Sequence, residues 1–221
     1  MLSSLRALPT LLFPQSCLGC GRLGSNLCPN CNTQIRIPSL SINKMGVTVF
    51  AGFRFSPLAS RLVLAAKEDN SVAAREILAQ ALSRALEFAI RKLSIPMDSN
   101  AISLIPIPSR NSANRSRGYL HTLLLAKAVV RESGRSGISV VNCLEHSRRV
   151  KDQSKLNIDQ RVRNMSRSIV VKENVNYQKL RSGQVLLLDD LVTTGSTAKA
   201  AQSALAERGI HVLGAVASCA S

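Results

Sequence analysis

This chain of 221 residues has no tryptophan, and its aromatic content is only 3%. Hydrophobic residues still reach 45%, so a core must be built from Leu, Ile, Val and Ala. The scarcity of rings also argues against a single-strand site that works by stacking bases. Acidic residues are few: 13 Asp and Glu stand against 29 Lys and Arg, a net charge of +16. Such a field favours phosphate-bearing partners, whether nucleotides or a nucleic-acid backbone. No stretch approaches the ~18 consecutive apolar residues of a membrane helix, so membrane insertion is not expected. Met1 to Phe13 is apolar, yet it carries Arg6 and Pro9 and has no clean small-residue cleavage site. It reads as a short amphipathic helix in a protein expected in the cytoplasm.

The most informative segment runs Val185-Leu-Leu-Leu-Asp189-Asp190-Leu-Val-Thr193-Thr194-Gly195-Ser196-Thr197. Its apolar start predicts a strand over 185–188 buried on both faces. Ligands of doubly wound sheets collect at the carboxyl ends of such strands. Asp189 and Asp190 are adjacent, so strand geometry points them to opposite sides and gives them different tasks. The hydroxyl-rich turn then opens a helix, where free backbone N–H groups and the dipole suit a phosphate. Gly195 permits close approach or positive φ. The plain rival is an ordinary strand–turn–helix with a Thr or Ser cap.

Cys17-x2-Cys20 and Cys28-x2-Cys31, separated by seven residues, match a closed tetrahedral zinc site of structural type. So small a module has little apolar material to hold it without metal. Two disulfides are the alternative. Cys143 and Cys219 lack metal spacing and read as buried small apolar residues.

Between these ends, Val47 to Phe55 reads as a hairpin or edge strand broken at Gly46 and Gly52. Helices are expected over 57–67, 72–93, 120–131 and 197–208, the last ended by Gly209. Strands are expected over 101–107, 138–143, 168–171, 185–188 and 210–217. Alternation from residue 101 onward predicts an α/β fold with a doubly wound, mostly parallel sheet. The division expected is a zinc-ribbon-like module over 1–45 and a larger domain over 46–221. Two loops carry candidate anion ligands. One holds Ser109, Arg110 and Arg117 after a Pro-rich strand end, suited to clamping a pyrophosphate. The other spans 148–164, with Arg149, Lys151, Gln153 and Arg161, and has the length of a functional lid. Plain solvated connections are the rival reading of both. His121 could serve a substrate, although a lone helical His is more often structural.

The Asp189-Asp190 string resembles the ribosyl-phosphate motif of type I phosphoribosyltransferases. With the cysteine knuckles, Ile105-Pro106-Ile107-Pro108, Arg117-Gly118-Tyr119 and Gln153-x2-Leu156-x4-Arg161-x2-Asn164, the chain resembles the ComF (competence protein F) family. It departs from that pattern at Lys67-Glu68, where a Lys-Tyr pair is usual, and at Leu120-His121, where Asn-Gln is usual. The resemblance implies that Asp189 and Asp190 hold the ribose of phosphoribosyl pyrophosphate, with Mg²⁺. It implies that Thr193, Thr194, Gly195, Ser196 and Thr197 wrap the 5′-phosphate. The family name also implies a second possibility: a binding protein for DNA uptake, acting with single-stranded DNA or an uptake helicase.

Overall fold

The computed structural model describes residues 15–96, 102–109, 121–147, 168–173 and 175–221. In chain order the elements are α1 (Pro29–Ile35), β1 (Leu40–Lys44), β2 (Val47–Arg54), α2 (Pro57–Lys67) and α3 (Val72–Lys92). Then come β3 (Ile102–Pro106), α4 (His121–Ser133), β4 (Ile138–Val140), β5 (Leu144–His146) and β6 (Ile169–Val171). The chain closes with α5 (Tyr177–Ser182), β7 (Gln184–Val192), α6 (Ser196–Ala206) and β8 (Val212–Ala220).

Six strands form one sheet in the order β1-β2-β8-β7-β3-β4. Every neighbouring pair is parallel except β1 with β2. The protein is therefore α/β with a mostly parallel mixed sheet. β7 shows how its faces are used. Leu186 and Leu188 join one apolar cluster with α2, α3 and α4. Val185 and Leu187 join the other, with Ala198, Ala201 and Leu205 of α6. Successive side chains point oppositely, so a continuous apolar run feeds both layers.

Local sequence sets the helix starts. Ser56 Oγ accepts the Ala59 N–H and Ser71 Oγ accepts the Ala74 N–H, capping α2 and α3. Pro57 occupies the first turn of α2, where its missing N–H costs nothing. α3 buries Leu78, Leu82, Ala85, Leu86 and Ala89 along one face. The few rings are used for packing: Phe50 meets Phe88 edge-on at 6.0 Å.

The structure corrects several expectations. β2 is no edge strand; β1 and β8 flank it and its burial is nearly complete. Gly52 does not break it, since a Cβ there would stand 2.4 Å from Ala81 O of α3. The glycine lets strand and helix backbones touch. β4 stops at Val140, and the chain turns to form β5, which pairs antiparallel with β6 outside the main sheet. β6, expected as a main-sheet strand, is thus placed elsewhere. β7 runs past Leu188 to Val192 because β8 continues beside it to Ala220. The acidic pair lies within the strand, before its end. β1, within the 1–45 span, joins the sheet through β2. The expected helix over 1–13 lies outside the described residues. Among the described residues no helix is long and apolar enough to cross a membrane.

Gly52→Ala should destabilise the protein by about 1–3 kcal/mol, since backbone must move to admit one methyl. Urea unfolding measures this, and an unchanged midpoint would contradict the packing described.

Candidate functional site

β7 carries Asp189 and Asp190 on opposite faces. Asp190 is buried on the face covered by α2 and α4. Its Oδ2 lies 3.0 Å from Lys67 Nζ, at the last residue of α2, and 3.2 Å from His121 Nε2, at the first residue of α4. Both contacts are at ion-pair distance. Asp190 Oδ1 accepts the Leu191 N–H at 2.8 Å. Burial alone would raise the Asp190 pKa. The contact with His121 and the charge of Lys67 more than reverse this, so its carboxyl is held below the usual carboxylate range. For Lys67, burial is likewise outweighed by Asp190, and its pKa is raised. Lys67 also sits at the negative end of the α2 dipole.

Asp189 turns the other way. Its Oδ1 accepts the Asp190 N–H at 2.9 Å. Burial and the neighbouring Asp190 charge push its pKa well above the usual range, offset only in part by Lys67. Two adjacent carboxyls thus have opposite protonation preferences, set by what each faces.

The turn after β7 presents Thr193 and Thr194 to solvent. Gly195 adopts φ +82°, a left-handed conformation that favours glycine, and forms the N-cap of α6. Thr194 Oγ1 lies 3.1 Å from Ser196 Oγ and accepts the Ser196 N–H at 3.3 Å. Ser221 Oγ donates to Thr193 O at 3.3 Å, tying the turn to the chain end. Thr197 lies in the first turn of α6 and is half-buried. The arrangement groups hydroxyls with the amides at the start of α6.

Of the β3 loop, Ser109 is described, and its buried Oγ makes no hydrogen bond among the described residues. Thr122 Oγ1 donates to Ile107 O at 2.7 Å, and the Ile107 N–H donates to Leu188 O at 2.8 Å. The β3 end is thereby fixed beside β7. Arg110 and Arg117, and the 148–164 loop with Arg149, Lys151, Gln153 and Arg161, lie outside the described residues. Sequence reasoning left Lys67 out of the site and took His121 as more often structural. Both meet Asp190.

The four N-terminal cysteines form a second cluster. Their sulfur atoms all lie within 4.8 Å of one another and could hold a metal ion. All are free thiols, and Cys20 Sγ stands 3.6 Å from Cys28 Sγ, too far for a disulfide. A tetrahedral ion with ~2.3 Å bonds to sulfur needs pairs about 3.8 Å apart. Burial would raise the Cys17 pKa, but the N–H groups of Cys28, Cys20 and Gly19 lower it to about 6. Burial and the other thiols push Cys31 up to about 12. Gly19 packs so closely that a Cβ would meet Cys31 Sγ at 2.7 Å. Cys143 and Cys219 are buried, and burial raises their thiols to about 11 and about 12.

The chain matches no protein-family model and no curated protein.

The two carboxyls should respond oppositely to amide replacement. Asp190 gives stability above the unfolded-state pKa near 3.8, lost as pH falls through its lower folded value. Asp189 binds its proton more tightly when folded, so it costs stability as pH rises above 3.8. At pH 7 Asp190→Asn should lower stability by about 1–3 kcal/mol, and Asp189→Asn should raise the melting temperature. Equal effects in calorimetric melts would contradict the assigned environments.

Proposed function

We propose that this protein binds phosphoribosyl pyrophosphate and transfers its phosphoribosyl group. The observation that carries the reading is the β7–turn–α6 unit. Paired carboxyls facing opposite ways lead directly into a left-handed glycine turn that carries four hydroxyl side chains at the start of a helix. Thr193, Thr194, Ser196 and Thr197, with the Gly195 backbone, would take the 5′-phosphate. Asp189, inclined to hold a proton, can donate to as well as accept from a ribose hydroxyl. Asp190, kept ionised by Lys67 and His121, places negative charge near the anomeric carbon.

In the reaction the bond from C1′ to pyrophosphate breaks, and pyrophosphate leaves with the electron pair. An acceptor lone pair forms the new bond at C1′ and the acceptor loses a proton. Positive charge builds on the ring as the old bond weakens, and a fixed carboxylate stabilises it without reorganising. Mg²⁺, a cation of carboxylate and phosphate oxygens, would neutralise the pyrophosphate. Ser109, whose hydroxyl makes no hydrogen bond among the described residues, would receive the leaving group, with Arg110 and Arg117 following it in sequence.

The cysteine cluster is read as a structural zinc site. Four thiols at this spacing, with backbone amides favouring thiolate at Cys17, fit that ion. The charge of +16 supports a second reading, binding to a nucleic-acid backbone in DNA uptake.

Calorimetric titration of zinc-loaded protein with phosphoribosyl pyrophosphate and Mg²⁺ tests the first reading. Saturable binding should fall about tenfold or more in Thr194→Ala, which removes a hydrogen bond to charged phosphate. Binding should persist in a Cys28→Ser variant that still folds around its sheet, while its bound zinc is lost. Absent binding in the wild type, with salt-dependent retention of single-stranded DNA, would replace the first reading by the second.

A further inference from the structure

A groove of about 380 Å³ runs between α3 and α4. None of the residues lining it belongs to the β7 site. α3 contributes Val72, Arg75, Glu76 and Ala79, and α4 contributes Leu124, Lys127, Ala128 and Arg131. Both sets have the spacing i, i+3, i+4, i+7, which gathers a stripe on one face of each helix. Each stripe mixes apolar side chains with charges. Val72 is 59% exposed and Leu124 36% exposed, whereas Leu78, Leu82, Leu125 and Val129 of the same helices are fully buried.

The charges along this face lack partners within the chain. Glu76, Lys127, Arg131 and Glu132 are exposed and make no ion pair among the described residues. Lys127 and Arg131 stand four residues apart on one helix, where like charges repel. Glu76 and Glu132 place one acid on each helix. The face therefore carries uncompensated charge of both signs beside exposed apolar groups. A nucleic-acid backbone would be repelled by the two acids and would leave Val72 and Leu124 unused. A partner of one charge sign would likewise meet its own sign on the groove. A second copy of the same face offers acids for its bases and bases for its acids.

We propose that the α3–α4 face is the interface of a two-fold symmetric dimer of this chain. In such an interface residue i meets residue j of the other copy, and j meets i. Leu124 and Val72 pack on Ala79 and Ala128 of the second copy. Arg131 and Lys127 lie against the second copy's Glu76, and each such contact occurs twice. Small side chains at Ala79 and Ala128 let the paired helices approach closely. α4 begins at His121, so pairing also braces the helix whose first residue meets Asp190.

Sedimentation equilibrium of the full chain tests this. The net charge of +16 sets two copies against each other, so the measurement belongs at about 0.15 M salt, where the Debye length is ~8 Å. The wild type should show a concentration-dependent monomer–dimer equilibrium. Leu124→Asp should give a monomer with an unchanged melting temperature, since the side chain is exposed in the single chain. Glu76→Lys and Arg131→Glu should each weaken association about tenfold or more, because each sets like charges face to face. Mixing these two variants should restore association, since in the mixed dimer every facing pair is again of opposite sign. Misfolding cannot produce that rescue. A wild type that stays monomeric up to ~100 µM, well above the micromolar range of weak specific association, would overturn the proposal. So would a dimer indifferent to Leu124→Asp, or a mixture that fails to associate.

Discussion

The alternation of side chains along β7 is the constraint on which the site depends. A strand buried on both faces must send successive residues into different layers. When such a strand carries Asp189 and Asp190 in sequence, the two carboxyls enter unlike surroundings. Asp190 enters the layer where α2 ends and α4 begins, and those ends supply Lys67 and His121. A buried carboxylate would be costly without them. Asp189 is pushed toward its protonated form by burial and the Asp190 charge, which Lys67 offsets only in part. The chemistry offered to a ligand is thus asymmetric before any ligand arrives.

This division explains the placing of the rest. Caps at Ser56 and Ser71 fix where α2 and α3 begin, and the length of α2 then delivers Lys67 to the carboxylate. The bond from Thr122 to Ile107 O holds the start of α4 against the β3 end, beside His121. Gly195 can adopt positive φ, so α6 starts immediately after the strand. The alanines of α6 allow it to lie close on the opposite face. At the other end of the chain, the cysteine cluster packs into the same apolar layer as α2 and α3, with Leu58 beside Gly19.

Much of this was legible in sequence, for reasons that differ by element. The apolar run 185–188 announced a doubly buried strand. The long amphipathic pattern of α3 was readable because helical periodicity accumulates over many turns. Short elements carried too little pattern: α1 and α5 span 7 and 6 residues, and neither was foreseen. The extension of β7 to Val192 depended on β8 continuing beside it, a pairing invisible locally. The hidden part of the site was likewise tertiary. Lys67 and His121 are far apart in sequence, and nothing local marks them as partners of one carboxylate. Their meeting on one oxygen follows from the packing of α2 and α4 on a common face. Gly52 was misread because a glycine that breaks a strand and one that admits a helix look alike in sequence.

The central claim is that Asp189 and Asp190 have opposite protonation preferences imposed by their faces of β7. Carbon-13 NMR titration of the aspartate carboxyls, assigned with the single Asn variants, tests it most directly. The account predicts that Asp190 remains ionised down to acid unfolding, while Asp189 titrates well above the ordinary carboxylate range. Two carboxyls titrating together near 4, the ordinary value for aspartate, would contradict it.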